Sequence, residues 1–351
     1  MLFFQRLLLP LSFIYQGILR LRNHLYDSGF FGSTEFDIPT INVGNLAFGG
    51  TGKTPHIEYL IRLLQNQYRV AVLSRGYKRK TIGYVFAQED ATPFSIGDEP
   101  FQIYSKFSQV EVAVSENRVL GIPSLLMDAP YTDLILLDDA YQHRDLKPGL
   151  NILLTEQHKL YVDDFLVPSG YLREYAEASN RADIIVVTKC DPNLSISNQQ
   201  QITRKLKPLS HQKVYFSFIQ YGQITPFFEG QSIPKKSAVL ALAGIANPQI
   251  FEAYLKQKYE QVWLMAFPDH HLLTDIEINK VFIDFDLMPQ QEKIIVCTEK
   301  DYQKLIQAPY GDQLKKYPFF YLPIEVVFFE EDKGNFDQNI THYVERNRSY
   351  H

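Results

Sequence analysis

Apolar residues along this chain follow two rhythms. Near the amino terminus Leu7, Leu11, Ile14, Ile18, Leu21 and Leu25 recur every three or four positions, which makes one face of a helix apolar. Phe3, Phe4 and Phe13 thicken that face, and Arg6, Arg20 and Arg22 stand at its ends. Beyond residue 40 the rhythm changes to short unbroken apolar runs separated by helical patterns. Strands are expected at 40–43, 70–74, 111–114, 134–137, 151–154 and 183–188. Unbroken apolar runs suit a parallel sheet buried on both faces. A polar stretch over 192–213 follows, then a strand-like run at 214–219 and a connection marked by Gly222, Pro226, Gly230 and Pro234. A second αβ pattern takes in 238–244, 262–267, 293–298 and 319–328.

This pattern predicts an α/β protein in four parts. Residues 1–30 form an amphipathic helix, 31–210 a first domain, 211–235 a hinge or linker, and 236–351 a smaller α/β domain. The run 321–328 is a candidate strand returning to the first domain. A chain of 351 residues is long for one core and natural for two. A net charge of −5 argues against broad nucleic-acid binding. Cys190 and Cys297 stand far apart, with neither zinc-type spacing nor a disulfide framework, and read as buried small residues. The apolar run between Arg6 and Arg20 is too short to span a bilayer and contains Pro10 and Gln16. No small-x-small cleavage site follows it, which counts against a signal peptide. Two readings of the helix remain: packing on its own domain, or lying in a membrane interface with Phe and Leu at the headgroup boundary.

The chemistry begins at the first expected strand. Val43-Gly44-Asn45-Leu46-Ala47-Phe48-Gly49-Gly50-Thr51-Gly52-Lys53-Thr54 leads into the helical pattern 57–64. Strand, glycine-rich loop and helix is the order a phosphate-binding loop needs, because glycines turn backbone N–H groups inward and the helix N-terminus adds positive charge. Residues 47–54 are therefore candidate nucleotide ligands. Lys53 would reach the β- and γ-phosphates, and the Thr54 hydroxyl would ligate Mg²⁺. Ala47 stands where the general G-x-x-x-x-G-K-[ST] pattern has its first glycine. Downstream, Leu134-Ile135-Leu136-Leu137-Asp138-Asp139 has the form of a Walker B strand, whose terminal acids would face the loop and hold the metal. A P-loop NTPase-like fold, mostly parallel sheet flanked by helices, follows.

Further motifs stand in order along the chain: Ser74-Arg75-Gly76-Tyr77, Gly97-Asp98-Glu99-Pro100, Asp138-Asp139-Ala140-Tyr141-Gln142-His143 and Pro168-Ser169-Gly170-Tyr171-Leu172-Arg173-Glu174. Beyond them lie Thr188-Lys189, Ala243-Gly244-Ile245-Ala246, Phe267-Pro268-Asp269-His270 and Thr298-Glu299-Lys300-Asp301. With the loop, this series resembles the tetraacyldisaccharide 4′-kinase (lipid A 4′-kinase) family of Gram-negative bacteria over nearly the whole chain. Ala140 departs from a usual glycine, and Ser169-Gly170-Tyr171 from a usual Ala-Gly-Pro-like segment; Ala47 is not glycine in that family either.

The resemblance implies an ATP- and Mg²⁺-dependent kinase acting on the 4′-hydroxyl of the lipid A disaccharide 1-phosphate precursor. It implies Asp98 as base with His270 as its partner, since a sugar hydroxyl must lose a proton as it attacks. Without the resemblance Gly97-Asp98-Glu99-Pro100 reads as a turn and Asp269-His270-His271 as a polar loop. The resemblance adds Glu174 to Asp138 and Asp139 as a metal ligand, and Arg75, Tyr77, Gln142, His143 and Arg173 as substrate contacts. For these the plain alternative is surface ion pairing. It also places the protein peripherally on the cytoplasmic face of the inner membrane, held by the amino-terminal helix, with no nucleic acid and no obligate protein partner. A P-loop GTPase or nucleotide-dependent chaperone is the competing class, because Thr188-Lys189-Cys190-Asp191 has the form of a guanine-reading T-K-x-D motif. Against it, Phe48 occupies the place of the extra lysine in the deviant Walker loops of that group.

Overall fold

The apolar runs assemble into two sheets in the structure, a computed structural model that describes residues 7–234, 237–269, 271–307 and 310–347. The first contains β1 (Thr40–Asn45), β2 (Val70–Ser74), β3 (Val85–Phe86), β4 (Glu111–Val114), β5 (Leu134–Asp138), β6 (Leu150–Glu156), β7 (Ile184–Thr188), β8 (Lys213–Tyr221) and β14 (Ile324–Phe328). Its order is β14-β8-β7-β6-β1-β5-β2-β4-β3. Only its edge pairs, β3 with β4 and β14 with β8, are antiparallel. The second sheet contains β9 (Thr225–Pro226), β10 (Ala238–Ala243), β11 (Val262–Ala266), β12 (Lys293–Thr298) and β13 (Phe319–Leu322), in the order β11-β10-β12-β13-β9. The unbroken runs mark strands covered on both faces: β1, β2, β5, β7 and β10 are buried at every position. β1 lies between β5 and β6, so the order of the sheet reverses there and a crevice opens at the carboxyl ends.

The chain passes between the sheets twice. It leaves the first through β8 and joins the second at β9, then returns through β13, Pro323 and β14. Proline has no N–H to continue a ladder, so the single run expected over 319–328 becomes two strands in different sheets. The Gly222 N–H donates to the Pro323 carbonyl at 2.9 Å and ties the two crossings together.

Two boundaries differ from those expected. Residues 213–221, assigned to a linker, form a strand of the first sheet. The candidate return strand within 321–328 is β14, and the helix that follows it, assigned to the second unit, also belongs to the first. The helix Glu330–Asn347 buries Phe336, Ile340 and Val344 in the core that contains Ile41, Val72 and Leu136. A helix with one apolar stripe reads the same whichever sheet it covers, so the composition shift near 210 was a poor guide to its partner.

The amino-terminal pattern gives the helix Leu9–Asp27, with Pro10 in the first turn where its missing N–H costs nothing. Its polar side faces the protein. Ser12 donates to the Leu166 carbonyl and the Ser169 hydroxyl, both at 2.9 Å, and the Asn23 amide donates to Glu174 at 2.6 Å. Its apolar side faces outward: Leu11, Phe13, Ile14, Ile18 and Leu21 are between 54% and 64% exposed. Among the described residues no helix is long and apolar enough to cross a membrane.

The return of the chain can be tested by stability. Phe336 is buried, stacked on Phe328 at 4.1 Å and edge-on to Tyr215 at 5.4 Å. Phe336→Ala should lower the unfolding free energy by about 3–5 kcal/mol in urea titrations. A loss below about 1 kcal/mol would mean that the last helix does not complete the first core.

Candidate active site

The loop expected to bind phosphates spans residues 46–52, between β1 and the helix Lys53–Leu64. Gly49 and Gly52 have φ of +116° and +89°, which a side chain would resist. Ala47 has no positive φ and forms an isolated antiparallel bridge with Leu172. A glycine is therefore not needed where the general pattern has one. The segment 171–173 runs beside the loop: the Phe48 N–H donates to the Tyr171 carbonyl and the Arg173 N–H to the Leu46 carbonyl, both at 2.7 Å. On the other side the Thr188 hydroxyl donates to the Thr51 carbonyl at 2.9 Å.

Parallel pairing of β1 with β5 brings the two acids to this loop. The Asp139 N–H donates to the Val43 carbonyl at 3.0 Å. Lys53 Nζ lies 3.7 Å from Asp139 Oδ2 and 3.3 Å from Asn45 Oδ1. Arg173 grips Asp139 with two hydrogen bonds, at 2.8 and 3.0 Å, and its guanidinium lies 5.6 Å from the Phe48 ring centre. Burial pushes the Asp139 carboxyl up, but Lys53 and Arg173 outweigh it and hold the group below its ordinary value.

Asp138 has the opposite environment. It is buried, its Oδ2 accepts from the Ser74 hydroxyl at 2.9 Å, and its Oδ1 has no hydrogen-bond partner. Burial and then Asp139 push its carboxyl up to about 6, against the pull of Lys53. A buried carboxylate oxygen without a partner, within the reach of the Lys53 charge, fits a divalent cation. Among the described residues no three His, Cys, Asp or Glu side chains form a metal centre. That donor set suits Mg²⁺, which is commonly held by one or two carboxylates and the phosphates of a bound nucleotide.

Glu174 does not join this group. Both its oxygens are taken by Arg181, at 2.9 and 2.8 Å, and one also accepts from Asn23 of the amino-terminal helix. The fold has paired it with a cation and a helix rather than with the loop.

The expected substrate contacts separate into two kinds. Arg173 sits in the site as described. Arg75 and Tyr77 are exposed on the turn after β2, and the charge of Arg75 is felt at Arg118 and His143. Gln142 is tied down, its amide donating to the Asn45 carbonyl at 2.8 Å. His143 Nε2 accepts the Arg118 N–H at 3.2 Å, and burial, against the pull of Asp145, pushes its imidazole below the ordinary value. Arg118 went unnoticed in the sequence, where it belongs to no motif that marks charge chemistry, and Asn45 stood in the glycine-rich run with no role of its own. Arg118 is 1% exposed and donates to the carbonyls of Ser115 at 2.8 Å and Asp138 at 2.9 Å.

Asp98 opens the helix Asp98–Lys106 immediately after Gly97. Gly97 has a φ of +95°, and a Cβ there would stand 3.0–3.1 Å from the backbone of Gly76, so the two turns pack closely and place Asp98 near the end of β2. From the second sheet Lys304 Nζ reaches to 3.6 Å from Asp98 Oδ2 and donates to the His271 carbonyl at 3.3 Å. Lys304 too was missed. Beside it opens a cavity of about 160 Å³ lined by Phe94, Phe267, Leu273, Leu305 and Tyr310. His270 lies outside the described residues. Its neighbours are engaged: Asp269 with Lys300 at 3.1 Å, and His271 with Glu277 at 2.8 Å.

Known proteins of similar sequence and fold identify the family. The profile of the tetraacyldisaccharide-1-P 4′-kinase family matches residues 4–345. The chain belongs to that family. A tetraacyldisaccharide 4′-kinase of Flavobacterium johnsoniae is 45% identical, covering 98% of each chain. One from Bacteroides thetaiotaomicron is 43% identical over 97% of this chain and 93% of its own. The crystal structure of the "apo" form of LpxK from Aquifex aeolicus in complex with ATP superposes with a TM-score of 0.74 at 29% identity, covering 97% of this chain and 99% of that one. Family membership sets aside the GTPase and chaperone alternative. Thr188, which suggested it, braces the loop instead, and Lys189 pairs with Glu156 at 2.7 Å.

The environment of Asp138 has a measurable cost. An acid whose folded-state pKa lies above its unfolded one destabilises the fold where it is ionised. Here the penalty is absent below about pH 4, grows towards pH 6 and is full above that. Asp138→Asn should therefore stabilise the nucleotide-free protein at pH 8 by about 2–3 kcal/mol, with the gain vanishing near pH 4. Thermal melts of both proteins across this range test it; an Asn variant no more stable at pH 8 would remove the strain assigned to this carboxylate.

Proposed function

We propose that this protein transfers the γ-phosphoryl group of ATP to the 4′-hydroxyl of tetraacyldisaccharide 1-phosphate, a step in lipid A biosynthesis. The observation that carries the reading is the meeting at one crevice of Lys53, at the start of the loop helix, with the orphaned Asp138 oxygen, where the charge of Glu99, the neighbour of Asp98 on its helix, is also felt. The loop N–H groups and Lys53 would hold the triphosphate, and Thr54 and Asp138 the Mg²⁺. Bound there, Mg²⁺ neutralises charge on the β- and γ-phosphate oxygens. Lys53 and Arg173 exchange part of their hold on Asp139 for phosphate oxygens, which accept charge-assisted hydrogen bonds from both as a carboxylate does. Asp98 takes the proton of the attacking hydroxyl, with His270 as its partner. In this reading the two sheets are the cores of two domains, and the β8–β14 ribbon is the hinge on which they close.

The amino-terminal helix supports the rest of the reading. Its polar side is spent on the protein and its apolar side is exposed, the arrangement of a helix that lies in a lipid interface. A tetraacylated sugar has negligible aqueous concentration, so the enzyme works peripherally on the cytoplasmic face of the inner membrane.

Two measurements test these assignments. With tetraacyldisaccharide 1-phosphate and Mg-ATP the protein should form the 4′-phosphorylated product, and Asp98→Asn should lower kcat by about 10²–10⁴-fold while ATP still binds. Near-normal turnover would exclude Asp98 as the base. The double variant Ile14→Asp/Ile18→Asp changes only outward residues and should release the protein from anionic phospholipid vesicles in co-sedimentation. Unchanged sedimentation would assign membrane binding to another surface.

A further inference from the structure

A buried ion cluster joins the elements that carry the proposed chemistry, yet touches none of the reacting groups. Lys106 ends the helix that Asp98 begins. Its Nζ lies 2.7 Å from Glu58 Oε2 and 2.6 Å from Glu299 Oε1. Glu58 belongs to the helix that Lys53 begins, and Glu299 opens the helix Glu299–Gln307 of the second sheet, which carries Lys300 and Lys304. The two carboxylates are 1% and 6% exposed. One turn before Lys106, the Gln102 amide donates to the other oxygen of Glu58 at 2.7 Å. The second oxygen of Glu299 accepts the Ile324 N–H, the first residue of the return strand β14, at 3.4 Å. One ammonium group thus connects the phosphate-loop helix, the Asp98 helix, the second sheet and the hinge.

The position along the helix matters. Asp98–Lys106 and Glu299–Gln307 pair at both ends, through Lys106 with Glu299 beside the hinge and through Asp98 with Lys304 at the mouth of the crevice. A helix of this length spans roughly 12 Å and is rigid on the scale of one contact. A contact held at the hinge end lets the mouth end open and close while the direction of Asp98 stays fixed relative to Lys53. We propose that Lys106 is the pivot of domain closure and a positioning residue for Asp98, acting through the helix that joins them. This rests on the phosphotransfer reading above.

Lys106→Met alone would leave two buried carboxylates facing each other and could fail by unfolding. The deciding variant is Lys106→Met/Glu58→Gln/Glu299→Gln, which removes the cation together with both carboxylates it pairs; Arg62, 3.5 Å from Glu58 and 30% exposed, keeps its contact with water. It should melt near the wild type and bind ATP normally, yet lose about tenfold or more in kcat on tetraacyldisaccharide 1-phosphate, because a misplaced base costs rate rather than nucleotide affinity. Lys106→Arg, which keeps both ion pairs, should retain most of the wild-type rate. A second readout needs no acceptor. Trp263, the single tryptophan, lies on β11, and Ile82 is 90% exposed on the first-sheet side. Energy transfer from Trp263 to a dansyl group on Ile82→Cys should change on adding Mg-ATP, and that change should be lost in the triple variant and kept with Lys106→Arg. A triple variant with wild-type kcat, or with an undiminished transfer change, would overturn the pivot and leave Lys106 a stabilising residue. A wild type that closes on Mg-ATP but does not phosphorylate the acceptor would overturn the functional reading and leave the pivot standing.

Discussion

The parallel pairing of β1 with both β5 and β6 is the constraint on which the crevice depends. In that register Val43 stands beside Asp138, and the chains leaving β1 and β5 emerge next to each other. The glycine loop and the acid pair, which lie far apart in sequence, are thereby brought within an ion pair's reach at Lys53 and Asp139. The polar residues of β1 secure the same junction. The Asn42 side chain bonds to Asn151 of β6 at 2.9 Å and accepts the Ala140 N–H at 3.2 Å, while Asn45 receives Lys53. Slipping β1 by one residue would turn its side chains to the opposite faces and separate these groups.

Charge is distributed unevenly around the crevice, and the two neighbouring acids show it. Asp139 is held by Lys53 and Arg173 and sits below its ordinary pKa, whereas Asp138 is buried with one oxygen unpartnered and sits above its own. Such a group costs stability in the empty protein. That is the usual mark of a site that a ligand completes, because native folds seldom leave buried acceptors unsatisfied elsewhere. Glu174 makes the contrast plain: it is equally buried but fully paired with Arg181 and Asn23, and its work is to seat the amino-terminal helix.

That helix has its amphipathicity turned outward, and the reason lies in its polar face. Ser12, Asn23 and Arg22 find specific acceptors on the segments that flank the loop, at Leu166, Glu174 and Gln142. A polar side satisfied by the protein leaves the apolar side for another medium. The same segments, 165–174, brace the glycine loop, so the helix and the proposed nucleotide site share a support.

Much of the fold and part of the site were legible in the sequence because their signals are local. An unbroken apolar run marks a strand, most often one covered on both faces, and a glycine-rich stretch between strand and helix marks a tight loop; the strand at 40–43, the loop that follows it and the strand ending at Asp138 followed from those rules. The roles of charged residues did not follow. The partner of a carboxylate or an ammonium group is set by contacts between residues remote in sequence, and burial multiplies the consequence of each pairing. Glu174 pairs with Arg181 and the amino-terminal helix, Lys106 and Lys304 join two sheets, and the last helix returns to the first core. Sequence alone determined where the glycine-rich loop would stand and where most strands would lie. The tertiary structure decided which charges meet there, because only packing fixes the distance between them.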